Sequence, residues 1–197
     1  FDIDSGQLLG PPMTIPGTAS PRTTFSASAN GVLAISELTA SQQLVWHDRN
    51  GTQMGSVVAP KELAALTLSP DGEMALMATL EAGTYELWLV DLTRGVSTKL
   101  VTNATFPAWS PDGLRFAYTN MSADGADVYV RSVSGSQEGT AWLATKELKS
   151  VTGWSPDGKH VVFSRYRTRE QTSQDIWLLP ATGERKPTVH LESKARE

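Results

Sequence analysis

Three aspartates occupy the same place in three copies of one short motif, and carboxylates are side chains that can bind a metal ion or transfer a proton. The motif is Ser-Pro-Asp-Gly, and its aspartates are Asp71, Asp112 and Asp157. A local explanation competes with both roles. Proline presets φ for the second position of a type I turn, aspartate suits the third, and glycine adopts the left-handed conformation that follows. We therefore interpret each copy as a three-residue hairpin loop whose residues are structural: Ser69, Pro70, Asp71, Gly72, Ser110, Pro111, Asp112, Gly113, Ser155, Pro156, Asp157 and Gly158.

One basic stretch is the candidate for a ligand or partner site. It contains Arg165, Arg167 and Arg169, followed by Glu170. Placed at one face of the molecule, such a stretch could bind an anionic ligand or a partner protein. The alternative is an ordinary solvated loop, which the sequence pattern favours.

The remaining side chains with catalytic potential are scattered. His47, His160 and His190 lie far apart and have no metal-ligand spacing. No Gly-x-Ser-x-Gly nucleophile motif is present. The sequence therefore predicts no catalytic, metal-binding or cofactor-binding residue, and the chain is expected to be non-enzymatic.

Composition excludes several further classes of function. The chain has 197 residues, of which 40% are hydrophobic and 19% charged, with a formal net charge of −4. Such a charge implies no broad basic surface for nucleic acid. Because there is no cysteine, disulfides, thiolate catalysis and cysteine-ligated zinc are excluded. No apolar run approaches the length of a membrane span.

The Ser-Pro-Asp-Gly motif recurs at a nearly constant interval. A decayed fourth copy is Ala27-Ser28-Ala29-Asn30-Gly31, and the serines Ser28, Ser69, Ser110 and Ser155 follow one another at intervals of 41, 41 and 45 residues. A fixed period of this length is typical of a propeller blade. Each copy of the motif is therefore expected to belong to one of a series of similar β-sheets.

Each repeat contains four short apolar or alternating segments separated by polar turns. This pattern predicts an all-β propeller with four blades of four antiparallel strands. The predicted blades span residues 22–60, 61–102, 103–146 and 147–197, with residues 1–21 as the tail strand of a preceding blade. The aromatic residues Trp88, Tyr129 and Trp177 fall on the third strand of successive blades, and we expect them to be largely buried between blades.

The repeat resembles the TolB-like, WD-repeat-like propeller family. The resemblance rests on Trp-Ser-Pro-Asp-Gly, an alternating strand and the segment Asp175-Ile176-Trp177-Leu178-Leu179. It covers nearly the whole chain. The segments Leu44–Gly51 and Asp175–Pro187 are similar to those of propellers that follow bacterial, eukaryotic-like serine/threonine kinase domains. No kinase motif occurs in the chain itself.

The resemblance implies a non-catalytic binding propeller. It implies first that the chain is the sensor-like region of a membrane-linked serine/threonine kinase, located in the periplasm or elsewhere outside the cytoplasm. Two alternatives stay open: a TolB-like adaptor in a cell-envelope complex, and the gating propeller of a serine peptidase of the prolyl oligopeptidase type.

We also expect an open arc of a larger, six- to eight-bladed propeller. Its partners would be the remaining blades of the same polypeptide or a second copy, with another protein or a small ligand bound at a propeller face. The bare faces of the first and last blades should carry exposed apolar residues, including Leu33, Ile35, Val162 and Phe163.

Overall fold

Sixteen β-strands form four separate four-stranded sheets in the computed structural model. The structure describes residues 25–37, 43–48, 50–58, 62–122, 125–135, 138–166 and 174–192. The predicted tail strand at residues 1–21 lies outside these ranges, and the predicted blade boundaries stay predictions. Among the described residues there is no helix, and hence none that is long and apolar enough to cross a membrane.

Strand order within every sheet follows chain order, and all neighbouring strands are antiparallel. Sheet one contains β1 (Phe25–Ala27), β2 (Leu33–Glu37), β3 (Gln43–His47) and β4 (Gln53–Val58). Sheet two contains β5 (Glu62–Leu68), β6 (Met74–Glu81), β7 (Thr84–Asp91) and β8 (Val96–Thr102). Sheet three contains β9 (Ala104–Trp109), β10 (Arg115–Met121), β11 (Ala126–Ser132) and β12 (Thr140–Leu143). Sheet four contains β13 (Leu148–Trp154), β14 (His160–Tyr166), β15 (Gln174–Pro180) and β16 (Thr188–Leu191).

The first strand of each sheet contacts the first strand of the next, so β1, β5, β9 and β13 are the inner strands. Since consecutive strands alternate in direction, the β1–β2 and β3–β4 connections of a sheet lie at the same end. We call this end, which carries the repeat motif, the turn end. The opposite end, where each sheet is joined to the next, is called the loop end. This arrangement of radiating four-stranded sheets is that of propeller blades.

The repeat motif forms the inner hairpin of each sheet. In sheet four the Gly158 N–H donates to the Ser155 carbonyl at 2.9 Å, and the Ser155 N–H donates to the His160 carbonyl at 2.8 Å. The loop therefore holds four residues, not the predicted three. The Ser155 hydroxyl also accepts from the His160 N–H at 2.9 Å, so a second hydrogen bond joins the same two residues. Only the decayed copy in sheet one has a three-residue loop, closed between Ser28 and Val32.

Three apolar clusters fill the spaces between neighbouring sheets. One joins sheets one and two around Trp46 and Met77, a second joins sheets two and three around Leu76 and Phe116, and a third joins sheets three and four. Residues that alternate along a strand point to opposite faces, so each middle sheet contributes to two clusters. Among the described residues, no such cluster joins sheet four to sheet one.

The third-strand aromatics occupy equivalent places in successive sheets, and most of the surface of each is covered, as predicted. Trp88 pairs with Met77, Tyr129 with Tyr118 and Trp177 with Phe163 in the strand registers. All three aromatics are half-buried and pack at the edges of the clusters. The physical reason is that sheets radiating from one axis diverge, so the space between them widens from the inner strand to the third.

The prediction of bare apolar faces is wrong for two of its four residues. Phe163 points toward sheet three and is only 1% exposed, and Ile35 is 3% exposed. Val162, one residue earlier on the same strand, points the other way and is half-buried, as is Leu33. The sequence pattern predicted that side chains alternate between the two faces of a sheet, but it did not show which face packs against a neighbouring sheet.

We predict that the repeat glycines differ in their tolerance of alanine. Gly72 and Gly158 have φ angles of 72° and 70°, so either substitution should cost about 1–2 kcal/mol for the left-handed conformation. A Cβ at Gly158 would meet nothing within 4 Å, whereas one at Gly72 would lie 3.0 Å from the Val32 methyl and 2.8 Å from the Asn30 side chain. Chemical denaturation should therefore show a larger loss for Gly72→Ala, and equal losses would contradict the packing of the first two turns.

Candidate functional site

The three repeat aspartates are each bound by their own turn. The Asp157 carboxylate accepts hydrogen bonds from the Ser155 hydroxyl at 2.7 Å and from the Lys159 N–H at 3.1 Å. Asp71 and Asp112 accept the equivalent bonds in their turns. Within the described part of the chain, no three His, Asp or Glu side chains are placed to hold a metal ion. Local turn chemistry accounts for the conserved spacing of these carboxylates along the chain.

Hydrogen bonding in the turns also perturbs the acidity of these groups. The Ser155 hydroxyl, followed by the Lys159 backbone N–H, lowers the pKa of Asp157 to about 2. The serine hydroxyl is likewise the main cause that lowers the pKa of Asp71 and of Asp112. Each aspartate is thus ionised at neutral pH and serves as an acceptor.

Of the predicted basic stretch, the structure describes only Arg165. Its guanidinium is paired with the Glu147 carboxylate and lies 4.7 Å from the centre of the Trp177 ring. Arg167, Arg169 and Glu170 lie outside the described residues. Arg165 is therefore committed to partners within sheet four and its connection to sheet three, and the ligand role predicted for the stretch stays a prediction.

The three histidines lie on different strands. His47 is buried in sheet one, where Nδ1 is 3.2 Å from the Gly51 carbonyl oxygen, while Nε2 has no hydrogen-bond partner. His160 begins β14, and His190 belongs to the exposed outer strand β16.

A pocket of about 460 Å³ with mainly apolar walls lies at the loop end, between sheets three and four. We call it the Phe106 pocket. It is formed where β10 and β14 end and where β11 and β13 begin. Its lining consists of Phe106, Met121, Ala126, Leu148, Lys149, Ser150 and Tyr166.

Phe106 is the unusual member of this lining. It lies in a β-bulge of the inner strand β9, has a φ of 49° and leaves 43% of its surface exposed. Left-handed conformations are costly for a bulky residue, and such outliers cluster at binding and active sites. No signal in the sequence marked Phe106 as exposed.

A buried ammonium group forms the wall of the Phe106 pocket. Lys149 is 1% exposed, and its Nζ donates to the Glu147 carbonyl at 2.7 Å and to the Thr145 hydroxyl and carbonyl at 2.8 and 3.1 Å. The Asp127 carboxylate lies 3.4 Å away. Burial is the main cause that lowers the pKa of Lys149. Because its donors are occupied, Lys149 fastens the connection between sheets three and four, and the pocket has a rigid base.

A second pocket, of about 330 Å³, lies at the turn end where the inner strands converge. All four sheets contribute to it, through residues 27–29, 66–70, 107–109 and 152–154. We call it the axial pocket. Trp109 and Trp154 are the last residues of β9 and β13 there.

Comparison with known proteins agrees with this geometry. No protein-family profile matches the chain. An uncharacterized protein of Agrobacterium fabrum strain C58 is 27% identical over 119 residues, which are 59% of this chain and 39% of that protein. The chain thus spans less than half the length of this curated relative.

Solved structures share the fold at low sequence identity. TolB from Acinetobacter baumannii has a TM-score of 0.70 at 17% identity, with 86% of this chain and 43% of TolB covered. The β-propeller domain of the Trilobed protease from Pyrococcus furiosus has a TM-score of 0.58 at 12% identity, covering 87% of this chain and 57% of the other. The chain therefore has the fold of a β-propeller and resembles TolB in structure.

We predict that the acidity of Asp157 depends on its turn. Since its pKa falls from the ordinary 3.8 to about 2 on folding, the stability that it contributes is complete above about pH 3.8 and is lost as the pH falls through about 2. In Ser155→Ala, NMR titration should show the Asp157 pKa moving back toward 3.8. An unchanged titration in that variant would contradict the assigned hydrogen bond, and Ser134→Ala serves as the control because Ser134 contacts no carboxylate in the described hydrogen bonds.

Proposed function

We propose that the chain is a non-catalytic binding propeller that receives an apolar side chain of a partner protein in the Phe106 pocket. The observation that carries the proposal is the exposed aromatic ring of Phe106, held in a left-handed conformation beside a preformed apolar cavity. Pockets of about 300–1,000 Å³ with mostly apolar walls and a few placed polar groups are typical of ligand sites. A rigid aromatic group at such a site is a common anchor of protein interfaces.

Charge around the pocket supports recognition without catalysis. The Lys149 ammonium, which is the buried charge in the lining, is surrounded by four oxygen atoms, and the nearby Arg165 guanidinium is paired with Glu147. Neither group is available as a general base or nucleophile. Binding there depends on burial of apolar surface, to which Phe106, Leu148 and Tyr166 contribute.

The wider setting of the propeller is also a proposal. Likeness to TolB supports an adaptor role in a cell-envelope complex and an extracytoplasmic location. Likeness to a protease propeller supports a gating role beside a peptidase domain. The kinase-linked sensor rests on the segments Leu44–Gly51 and Asp175–Pro187 alone. The flanking gene sequence separates the three: a signal peptide, an α/β-hydrolase domain, or a kinase domain with a membrane helix.

We predict that Phe106→Ala removes partner binding without unfolding the chain. Peptides selected from a random library on the immobilised chain should share a bulky apolar residue, and their affinity should fall at least about tenfold in Phe106→Ala, as for a central anchor residue. Leu114→Ala is the matched control, because Leu114 is an exposed apolar residue at the turn end. Equal binding of the selected peptides to wild type and Phe106→Ala, measured by surface plasmon resonance, would refute the proposed site.

We further propose that the face of sheet four turned away from sheet three is covered by an additional blade, from the same polypeptide or a second copy. Sheet four turns Val162, Ile176 and Leu178 away from sheet three, and all three are half-buried. A partly exposed apolar face is typical of an interface. Size-exclusion chromatography with light scattering should show that the isolated chain self-associates or aggregates. A stable monomer, even at high protein concentration, would contradict the proposal.

A further inference from the structure

A third pocket, of about 460 Å³, lies between sheets two and three and is unrelated to the Phe106 pocket. It opens between the outermost strand of sheet two, β8, and the second and third strands of sheet three. We call it the Arg131 pocket. Its polar lining includes Lys99, Thr102, Tyr118, Asn120, Arg131 and Glu138.

The Arg131 guanidinium is incompletely satisfied by the protein. Two of its five N–H groups donate to backbone carbonyls, Nη1 to Leu100 at 2.8 Å and Nη2 to Gly135 at 3.2 Å. Nε is buried and has no hydrogen-bond partner. In the described part of the chain, no carboxylate lies within ion-pair distance of Arg131. A partly buried guanidinium without a carboxylate is costly unless a ligand supplies one.

The other charged groups of the lining leave Arg131 as the anion-binding centre. The Lys99 ammonium is already paired with Glu86 at 3.2 Å. Glu138 is exposed, so water screens its charge. A single guanidinium suits a monoanion such as a carboxylate better than phosphate, which carries a charge of about −1.5 to −2.

The neutral groups of the lining favour a polar ligand body. Tyr118 is nearly completely buried, and burial, as the main cause, raises its pKa to about 12. Its hydroxyl is protonated at neutral pH, as that of an ordinary tyrosine is, and can donate. Asn120 and Thr102 add donors and acceptors, and the half-buried Tyr129 ring lies 5.7 Å from the Tyr118 ring.

We propose that the Arg131 pocket binds a small carboxylate whose body carries hydroxyl groups, with the carboxylate on the Arg131 guanidinium. The pocket volume lies in the range of small-molecule sites. Since Arg131 also bonds to Leu100 of the neighbouring sheet, an occupied pocket would hold sheets two and three together. The site thus has the chemistry of a small-molecule sensor within a binding propeller.

Gluconate and sorbitol test the proposal, because they share a chain of hydroxyl groups and differ in the carboxylate. Isothermal titration calorimetry and ligand-observed NMR with the full chain should show saturable binding of gluconate and none of sorbitol. Inorganic phosphate is the third probe. Binding of phosphate without gluconate would overturn the proposal, as would binding of gluconate and sorbitol with equal affinity.

Two variants and one control locate the site. Arg131→Gln should weaken gluconate binding at least about tenfold, since a charge-assisted hydrogen bond is lost. Glu138→Gln changes an exposed side chain, so it tests the site even if Arg131→Gln fails to fold. It should tighten gluconate binding by about twofold or more, because a negative charge near the bound carboxylate is removed. Arg115→Gln, on the same sheet but at the turn end beside Asp112, should leave binding unchanged. Unchanged affinity in both Arg131→Gln and Glu138→Gln would overturn the proposal.

Discussion

The structure depends on one constraint, which is that a four-stranded sheet cannot bury its own faces. Sheets two and three are apolar on both faces, and each of those faces is covered by a neighbouring sheet. The Leu76 side of β6 packs on Phe116 of sheet three, whereas its Met77 side packs on Trp46 of sheet one. Stability is therefore distributed over the spaces between sheets, as in other repeat proteins.

Hydrogen bonds between sheets set the distances at which this packing occurs. The Ser26 hydroxyl accepts from the Leu68 N–H, and the buried Thr119 hydroxyl accepts from the Val151 N–H, both at 2.9 Å. The first bond joins sheet one to β5, and the second joins sheet three to β13. Because inner strands are held close while the outer strands diverge, space opens toward the rim and toward the two ends.

The two candidate pockets lie in spaces that this packing leaves between neighbouring sheets. The Phe106 pocket lies between sheets three and four, and the Arg131 pocket lies between sheets two and three. Each is lined by a charged group, but the two groups differ in how many of their hydrogen-bond donors have a partner within the protein. Lys149 has its donors occupied by oxygen atoms, whereas Arg131 retains a buried Nε without a partner. The same architecture therefore provides an apolar site for a side chain and a polar site for an anion.

The sequence by itself determined what depends on near neighbours in the chain. The turn residues Ser155 to Gly158 and the alternation of the strands act within a few residues, so the repeat predicted four sheets of four strands. The exposure of Phe106, the pairing of Arg165 with Glu147 and the contact of Arg131 with Leu100 were decided only by the tertiary structure. The contact of Arg131 with Leu100 depends on how closely two sheets approach, and the pairing of Arg165 with Glu147 depends on the register of β13 and β14. No local sequence pattern encodes either of these distances.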